Sequence, residues 1–141
     1  MLYQIRYAYH NQCLEVMNGY GCSYVYRTTM LNFIDSLCIK YGSTMKGRME
    51  SCAKQLQIQQ KIPVLLSEVT KDILFPTRNI RTPDCVWLNY RSIDIAKGTN
   101  KYSLITFLNG EQSELSCDIR IVKRGMRLCE QYLQILESSV L

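Results

Sequence analysis

The sequence predicts one α+β domain, mainly antiparallel strands with two central helices and a C-terminal amphipathic helix. Runs rich in Tyr, Val and Ile alternate with turn-forming residues, as in short antiparallel strands. Apolar residues at helical spacing are confined to residues 29–57 and 118–138. The length of 141 residues corresponds to a single domain, assigned to 1–141.

The N-terminal part is predicted to contain three strands joined by two tight turns. His10-Asn11 forms one turn and Asn18-Gly19 the other, and Asn-Gly is a strong hairpin signal. The expected strands cover residues 2–9, 13–17 and 21–27.

Two helices are predicted next, over residues 29–41 and 44–57. Thr28 or Thr29 can cap the first helix, and Gly42 suits a left-handed stop after it. Ser43 can then cap the second helix.

The region 61–117 is predicted to be strands, over 62–69, 72–75 and 85–93, followed by a hairpin. Asn109-Gly110 predicts a two-residue type I′ turn. That turn would place Leu104, Leu115, Tyr102 and Cys117 on one face, the expected core face. The pairs it implies are Leu108 with Glu111, Thr106 with Ser113, Leu104 with Leu115, and Tyr102 with Cys117.

The last helix, about 118–138, has one apolar and one basic face. At 100° per residue, four cations fall within an arc of about 100°, and apolar residues occupy the opposite side. The stripe lies in the N-terminal half, where cations oppose the helix dipole. A partner with negative charge would explain this placement, although a solvated stripe is the alternative. The cations are Arg120, Lys123, Arg124 and Arg127.

The net charge of +5 is unevenly distributed along the chain. Residues 40–127 carry fifteen basic and eight acidic residues, whereas the flanks are neutral or acidic. Clusters that could converge on one face are typical of a polyanion binder, and a solvated surface is the plain alternative. Besides the helical stripe, they are Lys40, Lys46 and Arg48, and then Arg78, Arg81 and Arg91.

Composition and motifs argue against several classes of protein, among them metalloproteins, disulfide-rich proteins, enzymes and membrane proteins. Hydrophobic residues make up 47% and charged residues 21%, as in a folded domain. The chain has one histidine and seven cysteines, with no two cysteines closer than nine residues, so neither a metal site nor a disulfide framework is expected. No catalytic motif is found, and we expect neither an enzyme nor a cofactor. With no apolar run long enough for a membrane and no signal peptide, a cytoplasmic protein is expected.

Two basic segments have the features that DNA contacts need. Lys46 and Arg48 stand beside small residues at the start of a predicted helix, where phosphates bind readily. Arg78 and Arg81 lie in a loop bounded by prolines, and an arginine on a stiff loop can enter a narrow AT-rich minor groove. The alternative for that loop is an ordinary surface turn. No helix-turn-helix is evident.

Three segments, in order, resemble the family of the competence transcription factor ComK. Tyr41-Gly42-Ser43-Thr44-Met45-Lys46-Gly47-Arg48 is similar to its F-G-S-S-x-x-G-R. Asp72-Ile73-Leu74-Phe75-Pro76-Thr77, with Arg81-Thr82-Pro83-Asp84-Cys85-Val86-Trp87-Leu88, is similar to L-F-P-T and R-P-x-C-x-W-I. Thr106-Phe107-Leu108-Asn109-Gly110 with Glu114-Leu115 is similar to T-F-x-N-G and E-L.

The resemblance implies a non-enzymatic activator of competence genes that needs no cofactor. Such proteins bind AT-rich double-stranded DNA largely through the minor groove, as dimers that pair into a tetramer, and act on RNA polymerase indirectly. The expected location is cytoplasmic, at the nucleoid, with no membrane association. The candidate DNA-binding residues are Lys46, Arg48, Arg78, Arg81, Arg120, Lys123, Arg124 and Arg127.

Two other functions remain open. A degenerate ComK-like protein-interaction module would have lost DNA binding and would present its basic stripe to an acidic protein. A small cysteine-dependent enzyme would need a thiol of low pKa, with Cys85 as the candidate.

Overall fold

The computed structural model describes residues 1–138 and confirms the α+β class. Within that range, nine strands are accompanied by three α-helices and a short 3-10 helix. The strands are β1 (Leu2–Ala8), β2 (Cys13–Asn18), β3 (Gly21–Val25), β4 (Val64–Leu65), β5 (Ile73–Pro76), β6 (Trp87–Asn89), β7 (Ile93–Gly98), β8 (Ser103–Phe107) and β9 (Gln112–Leu115). The helices are α1 (Met30–Lys40), α2 (Met45–Leu56), α3 (Ile119–Ser138) and the 3-10 helix Tyr90–Ser92.

The strands form two antiparallel sheets. The larger sheet has the order β3-β2-β1-β6-β5-β4, and the smaller has the order β7-β8-β9. Each pairing is antiparallel, as predicted. The order brings β6, which follows β5 in the chain, between β5 and the N-terminal strand β1.

The central strands β5 and β6 are buried along their whole length because both faces of the sheet are covered. On one face, Leu74 and Trp87 join a core cluster that includes Ile34 of α1. On the other face, Phe75 and Leu88 join a cluster with the small sheet and α3. The large sheet therefore separates two cores.

The helix caps agree with the sequence analysis, except at one residue. Thr29 caps α1, with its side chain accepting from the N–H of Asn32 at 3.2 Å. Gly42 follows α1 with φ at +105°, the left-handed stop that was expected. The cap of α2 is Thr44 and not Ser43, since Thr44 Oγ1 accepts from the N–H of Gly47 at 3.1 Å.

The predicted register of the last hairpin is wrong by one residue. Leu104 pairs with Glu114, and Thr106 pairs with Gln112. The N–H of Phe107 donates to the carbonyl of Glu111 at 2.9 Å, so the loop has three residues and Gly110 takes a left-handed φ of +89°. A one-residue slip moves each side chain of a strand to the other face. Consequently Leu104 and Tyr102 are not core residues, whereas Leu115 and Cys117 are buried. The buried positions of the two strands are Ser103, Ile105, Phe107, Ser113 and Leu115.

The predicted strand over 85–93 is interrupted: residues 87–89 belong to the large sheet, residues 90–92 form the 3-10 helix, and Ile93 begins β7 of the small sheet. Asn89 explains the break. Its buried amide donates to the carbonyl of Leu2 at 2.7 Å and to Asp72 Oδ1 at 2.9 Å. Its Oδ1 accepts from the N–H of Arg91 at 3.1 Å, which starts the 3-10 turn toward β7.

Helix α3 approaches the large sheet closely at Gly125. A Cβ built on Gly125 would lie 2.2 Å from Cδ2 of Phe75, which is fully buried. Gly125 therefore permits the helix-to-sheet distance that positions the basic stripe against the rest of the molecule.

Gly125→Ala is expected to lower the free energy of unfolding by about 1–3 kcal/mol, because the methyl group overlaps the Phe75 ring. Urea denaturation measures the change. Gln131→Ala, at an exposed position of the same helix, is the control and should shift stability by less than about 0.5 kcal/mol. Equal stability of the two variants would contradict this account of the packing.

Candidate nucleic-acid interface

The loop between β5 and β6 is closed at its base by Thr77. The N–H of Thr77 donates to the carbonyl of Val86 at 3.0 Å, and its hydroxyl donates to the same oxygen at 2.8 Å. The N–H of Val86 in turn donates to Thr77 Oγ1 at 3.2 Å. We call this set of three hydrogen bonds the neck.

Beyond the neck, hydrogen bonds fold the loop into consecutive turns. Asn79 accepts from the N–H of Arg81 through Oδ1 at 3.0 Å, and from the N–H of Thr82 through its carbonyl at 2.9 Å. The N–H of Cys85 donates to the carbonyl of Thr82 at 3.0 Å. The hydroxyl of Tyr9 donates to the carboxylate of Asp84 and so attaches the loop to the turn after β1. The loop is therefore braced from several sides, while the Arg81 side chain stays exposed.

Arg81 and Lys46 line the same groove of about 700 Å³. The groove also contains Asp35 and Glu50. Asp35 is already engaged, since its Oδ1 accepts from the N–H of Met45 at 2.8 Å. The apolar part of the groove is formed by Leu31, Met45, Met49, Ala53, Ile62 and Ile80. The structure thus brings together two predicted cations that are distant in sequence.

A second cleft, of about 410 Å³, contains three cations from three segments of the chain. They are Lys61, Arg78 and Lys101. The guanidinium of Arg78 donates to the carbonyl of Ser116, which ties the loop to the segment before α3. Lys61 and Lys101 give no signal in the sequence because neither belongs to a cluster of cations along the chain, and only the fold brings them to one cleft.

Arg27 is a further cation that sequence analysis missed. It lies in the N-terminal segment, whose net charge is zero, so the charge map gave no signal. In the structure, Arg27 and Arg81 both line a trough of about 870 Å³ with Tyr7 and Tyr9. Arg81 of the β5–β6 loop therefore lines one cleft with Lys46 and another with Arg27.

The four cations of α3 are not equally available. Arg120 makes an ion pair with Asp118 at 2.6 Å, and this pair lowers the pKa of Asp118 and raises that of Arg120. Arg124 donates to the carbonyl of Gln60 at 3.2 Å, beside Lys61. The side chains of Lys123 and Arg127 are exposed.

Arg48 has a structural role that the sequence did not predict. It is half-buried, and its guanidinium donates to the carbonyl of Leu65 at 2.7 Å and to those of Tyr41 and Cys38 at 3.1 and 3.3 Å. These bonds satisfy carbonyls at the end of α1 and join both central helices to β4. We therefore leave Arg48 out of the proposed DNA-contact set.

Three buried thiols, those of Cys38, Cys52 and Cys85, are not activated nucleophiles. Burial raises the pKa of Cys85, the candidate for a cysteine-dependent enzyme. Burial likewise raises the pKa of Cys38 to about 11 and that of Cys52 to about 12. At neutral pH these groups are thiols, which are poor nucleophiles.

Residues 1–138 contain neither a cluster of metal ligands nor a membrane-spanning helix. No group of three or more His, Cys, Asp or Glu side chains in this range could hold a metal ion. None of the described helices is long and apolar enough to cross a membrane.

Arg48→Met is expected to lower the free energy of unfolding by about 2 kcal/mol, because three carbonyls lose a charged donor. Urea denaturation provides the measurement. Lys46→Met is the matched control: it removes an exposed cation from the same helix and should leave stability unchanged within about 0.5 kcal/mol. If the two variants unfold at the same urea concentration, the assignment of a structural role to Arg48 is wrong.

Comparison with known proteins places these features in a family. The chain is 27% identical over 95 residues to a Bacillus subtilis (strain 168) protein named "Competence transcription factor", a stretch that covers 67% of this chain and 50% of that protein. The chain thus matches about half the length of this relative. No solved structure is significantly similar to it. A family model described as "ComK protein" matches residues 3–140, which is nearly the whole chain, and the chain therefore belongs to the ComK family.

Proposed function

We propose that this chain is a transcription regulator that activates competence genes by binding AT-rich duplex DNA, largely through the minor groove. Family membership and the similarity to a competence transcription factor support the regulatory role. The observation that carries the DNA interface is the exposed Arg81 on a braced loop, sharing a groove with Lys46.

A braced loop suits minor-groove recognition for a physical reason. The narrow minor groove of AT-rich DNA has an enhanced negative potential, which attracts an inserted arginine. The neck and the turns at Asn79 already hold the backbone beside Arg81, so binding has less conformational entropy to remove. Arg81 is accordingly the residue that we assign to the groove.

The remaining cations are assigned to the phosphate backbone. Lys46 lines the same groove as Arg81, and Lys61 and Lys101 line a second cleft with Arg78. Arg78 and Arg124 each donate to one carbonyl and have other guanidinium N–H groups to offer. Lys123 and Arg127 extend the proposed phosphate-binding surface along α3. Arg120 belongs to the same surface, but its charge is partly offset by the ion pair with Asp118. Such contacts position the protein without reading sequence.

The assembly that we propose on DNA is a pair of dimers, acting indirectly on RNA polymerase without a cofactor. The chain would work in the cytoplasm, at the nucleoid. Dimers on paired sites would let the protein's two-fold symmetry match two half-sites on the duplex.

One observation favours a second candidate function. The wall of the groove that holds Lys46 and Arg81 includes Met45, Met49 and Ile80, and apolar walls suit a protein ligand better than a phosphate backbone. A protein-interaction module that no longer binds DNA is therefore the alternative.

A titration of the full chain with labelled duplexes tests the proposal. We expect tighter binding to an AT-rich duplex than to a GC-rich duplex of equal length, with affinity falling steeply as salt rises. Arg81→Ala should weaken binding to the AT-rich duplex about tenfold, or about 1.4 kcal/mol, and should reduce the preference. Lys61→Ala should weaken binding to both duplexes alike and reduce the slope of log affinity against log salt concentration by about 0.9.

Arg91→Ala is the matched control, because Arg91 is an exposed arginine that lines none of the clefts described above. It should bind both duplexes nearly as the unmodified chain does. Equal weak binding of both duplexes near physiological salt would reject the sequence-specific regulator and favour the protein-interaction module. An unchanged preference in Arg81→Ala would reject the assignment of Arg81 to the groove.

A further inference from the structure

Strand β3 is an unprotected edge of the large sheet. It pairs with β2 on one side only, and four of its five residues are exposed. Residues 20–26 contain no charged residue and no proline. Tyrosines stand along this edge: Tyr20 is 99% exposed, Tyr24 46% and Tyr26 59%. An edge of this kind presents free N–H and C=O groups to another strand.

The other sheet edges of the described chain are protected. Strand β4 is two residues long and buried, with α2 packed against it. Strand β7 carries Asp94 and Lys97 and an irregular register between Ile93 and Ile95. Strand β9 has four residues, including Glu114. Short length, charge and bulges are the usual means of preventing edge-to-edge pairing. Strand β3 is longer than β4 and β9, carries no charged residue and has a regular register.

We propose that β3 is a self-association interface, in which β3 of a second copy pairs antiparallel with it about a two-fold axis at Ser23. The two large sheets would then form one continuous sheet of twelve strands. This proposal deepens the dimer of the proposed function by naming its surface, but it needs no DNA.

The extent of the strand selects this register. Ser23 is the middle residue of Gly21–Val25, so a two-fold axis there pairs all five residues, and any other centre leaves an end unpaired. Cys22 then lies opposite Tyr24 of the other copy, and Gly21 opposite Val25. The exposed Tyr20 and Tyr26 come to the same end of the interface.

The charges at the two ends of β3 favour a second copy over an unrelated strand. Arg27 follows the strand and is exposed. At the other end, Asn109 donates to the carbonyl of Gly19 at 3.2 Å, which places the 108–110 loop, and Glu111 after it, beside the β2–β3 turn. Glu111 is near enough to contribute to the raised pKa of Cys22, after burial and Glu15. Antiparallel pairing directs Arg27 of each copy toward the Glu111 end of the other.

Sedimentation velocity of the full chain without DNA tests the interface. The unmodified chain should sediment as a dimer, at twice its mass of 16.4 kDa. Ser23→Lys and Ser23→Glu place like charges opposite each other, so each should raise the dimer dissociation constant at least tenfold. An equimolar mixture of the two variants should form a heterodimer, because opposite charges then meet at the axis.

Gln131→Lys is the control, since it adds the same charge to an exposed position on α3, away from β3, and should remain dimeric. Circular dichroism melting establishes that each variant is folded. A monomeric unmodified chain at micromolar concentration would overturn the proposal, as would a Ser23→Lys variant that stays dimeric. Failure of the mixed variants to associate would overturn the register about Ser23. Because DNA is absent, none of these outcomes depends on the DNA-binding proposal.

Discussion

The pairing of Thr77 with Val86 is the contact on which the arrangement of the candidate interface depends. Pro76 pairs with Trp87 at the end of β5 but has no N–H to donate to the ladder. Thr77, which is 1% exposed, follows it and makes three hydrogen bonds with Val86 through its main chain and hydroxyl. The loop that carries Arg81 thus leaves the most buried part of the sheet through a closed neck.

The cations that line the two clefts are far apart in the sequence, and only the fold brings them together. Lys46 comes from the start of α2 and Arg81 from the β5–β6 loop, yet both line one groove. Lys61 and Lys101 reach the adjoining cleft from segments that the sequence shows as ordinary connections. The close approach of α3 to Phe75 at Gly125 brings the helical stripe to the same part of the molecule, where Arg124 meets the carbonyl of Gln60. The positions of the cations in the candidate interface therefore depend on how the fold packs these segments, and not only on the number of charges.

Local signals in the sequence were sufficient for the helices and for the class of fold. The periodicity and the caps near Thr29 and Gly42 predicted α1, since these signals involve only neighbouring residues. The hairpin register was wrong because Asn109-Gly110 is compatible with loops of two or three residues, and burial of Ile105 and Phe107 decides between them. The break after Asn89 was not predictable either, because its bonds reach Leu2 and Asp72, which are far away in sequence.

The sequence identifies candidate cations by residue type, but it does not show which side chains the fold places together or engages in hydrogen bonds. Arg48 looks like a phosphate ligand from its neighbours, and only the structure shows that carbonyls of α1 and β4 occupy its guanidinium. Lys61, Lys101 and Arg27 gave no signal, because isolated cations are common on solvated surfaces. The resemblance to the family supplied the functional hypothesis, whereas the structure shows which cations share a cleft and which are bonded to main-chain carbonyls.

The most direct test of the account is the ratio of AT-rich to GC-rich duplex affinity for Thr77→Val. Valine keeps the shape of the side chain but removes the two hydroxyl hydrogen bonds of the neck. If the neck holds Arg81 for the groove, this variant loses most of the AT preference while its salt-dependent binding to both duplexes persists. Thr106→Val, which removes a hydroxyl from the other sheet, should keep the preference and serves as the control. A folded Thr77→Val variant that prefers AT-rich DNA as strongly as the unmodified chain would contradict the central claim.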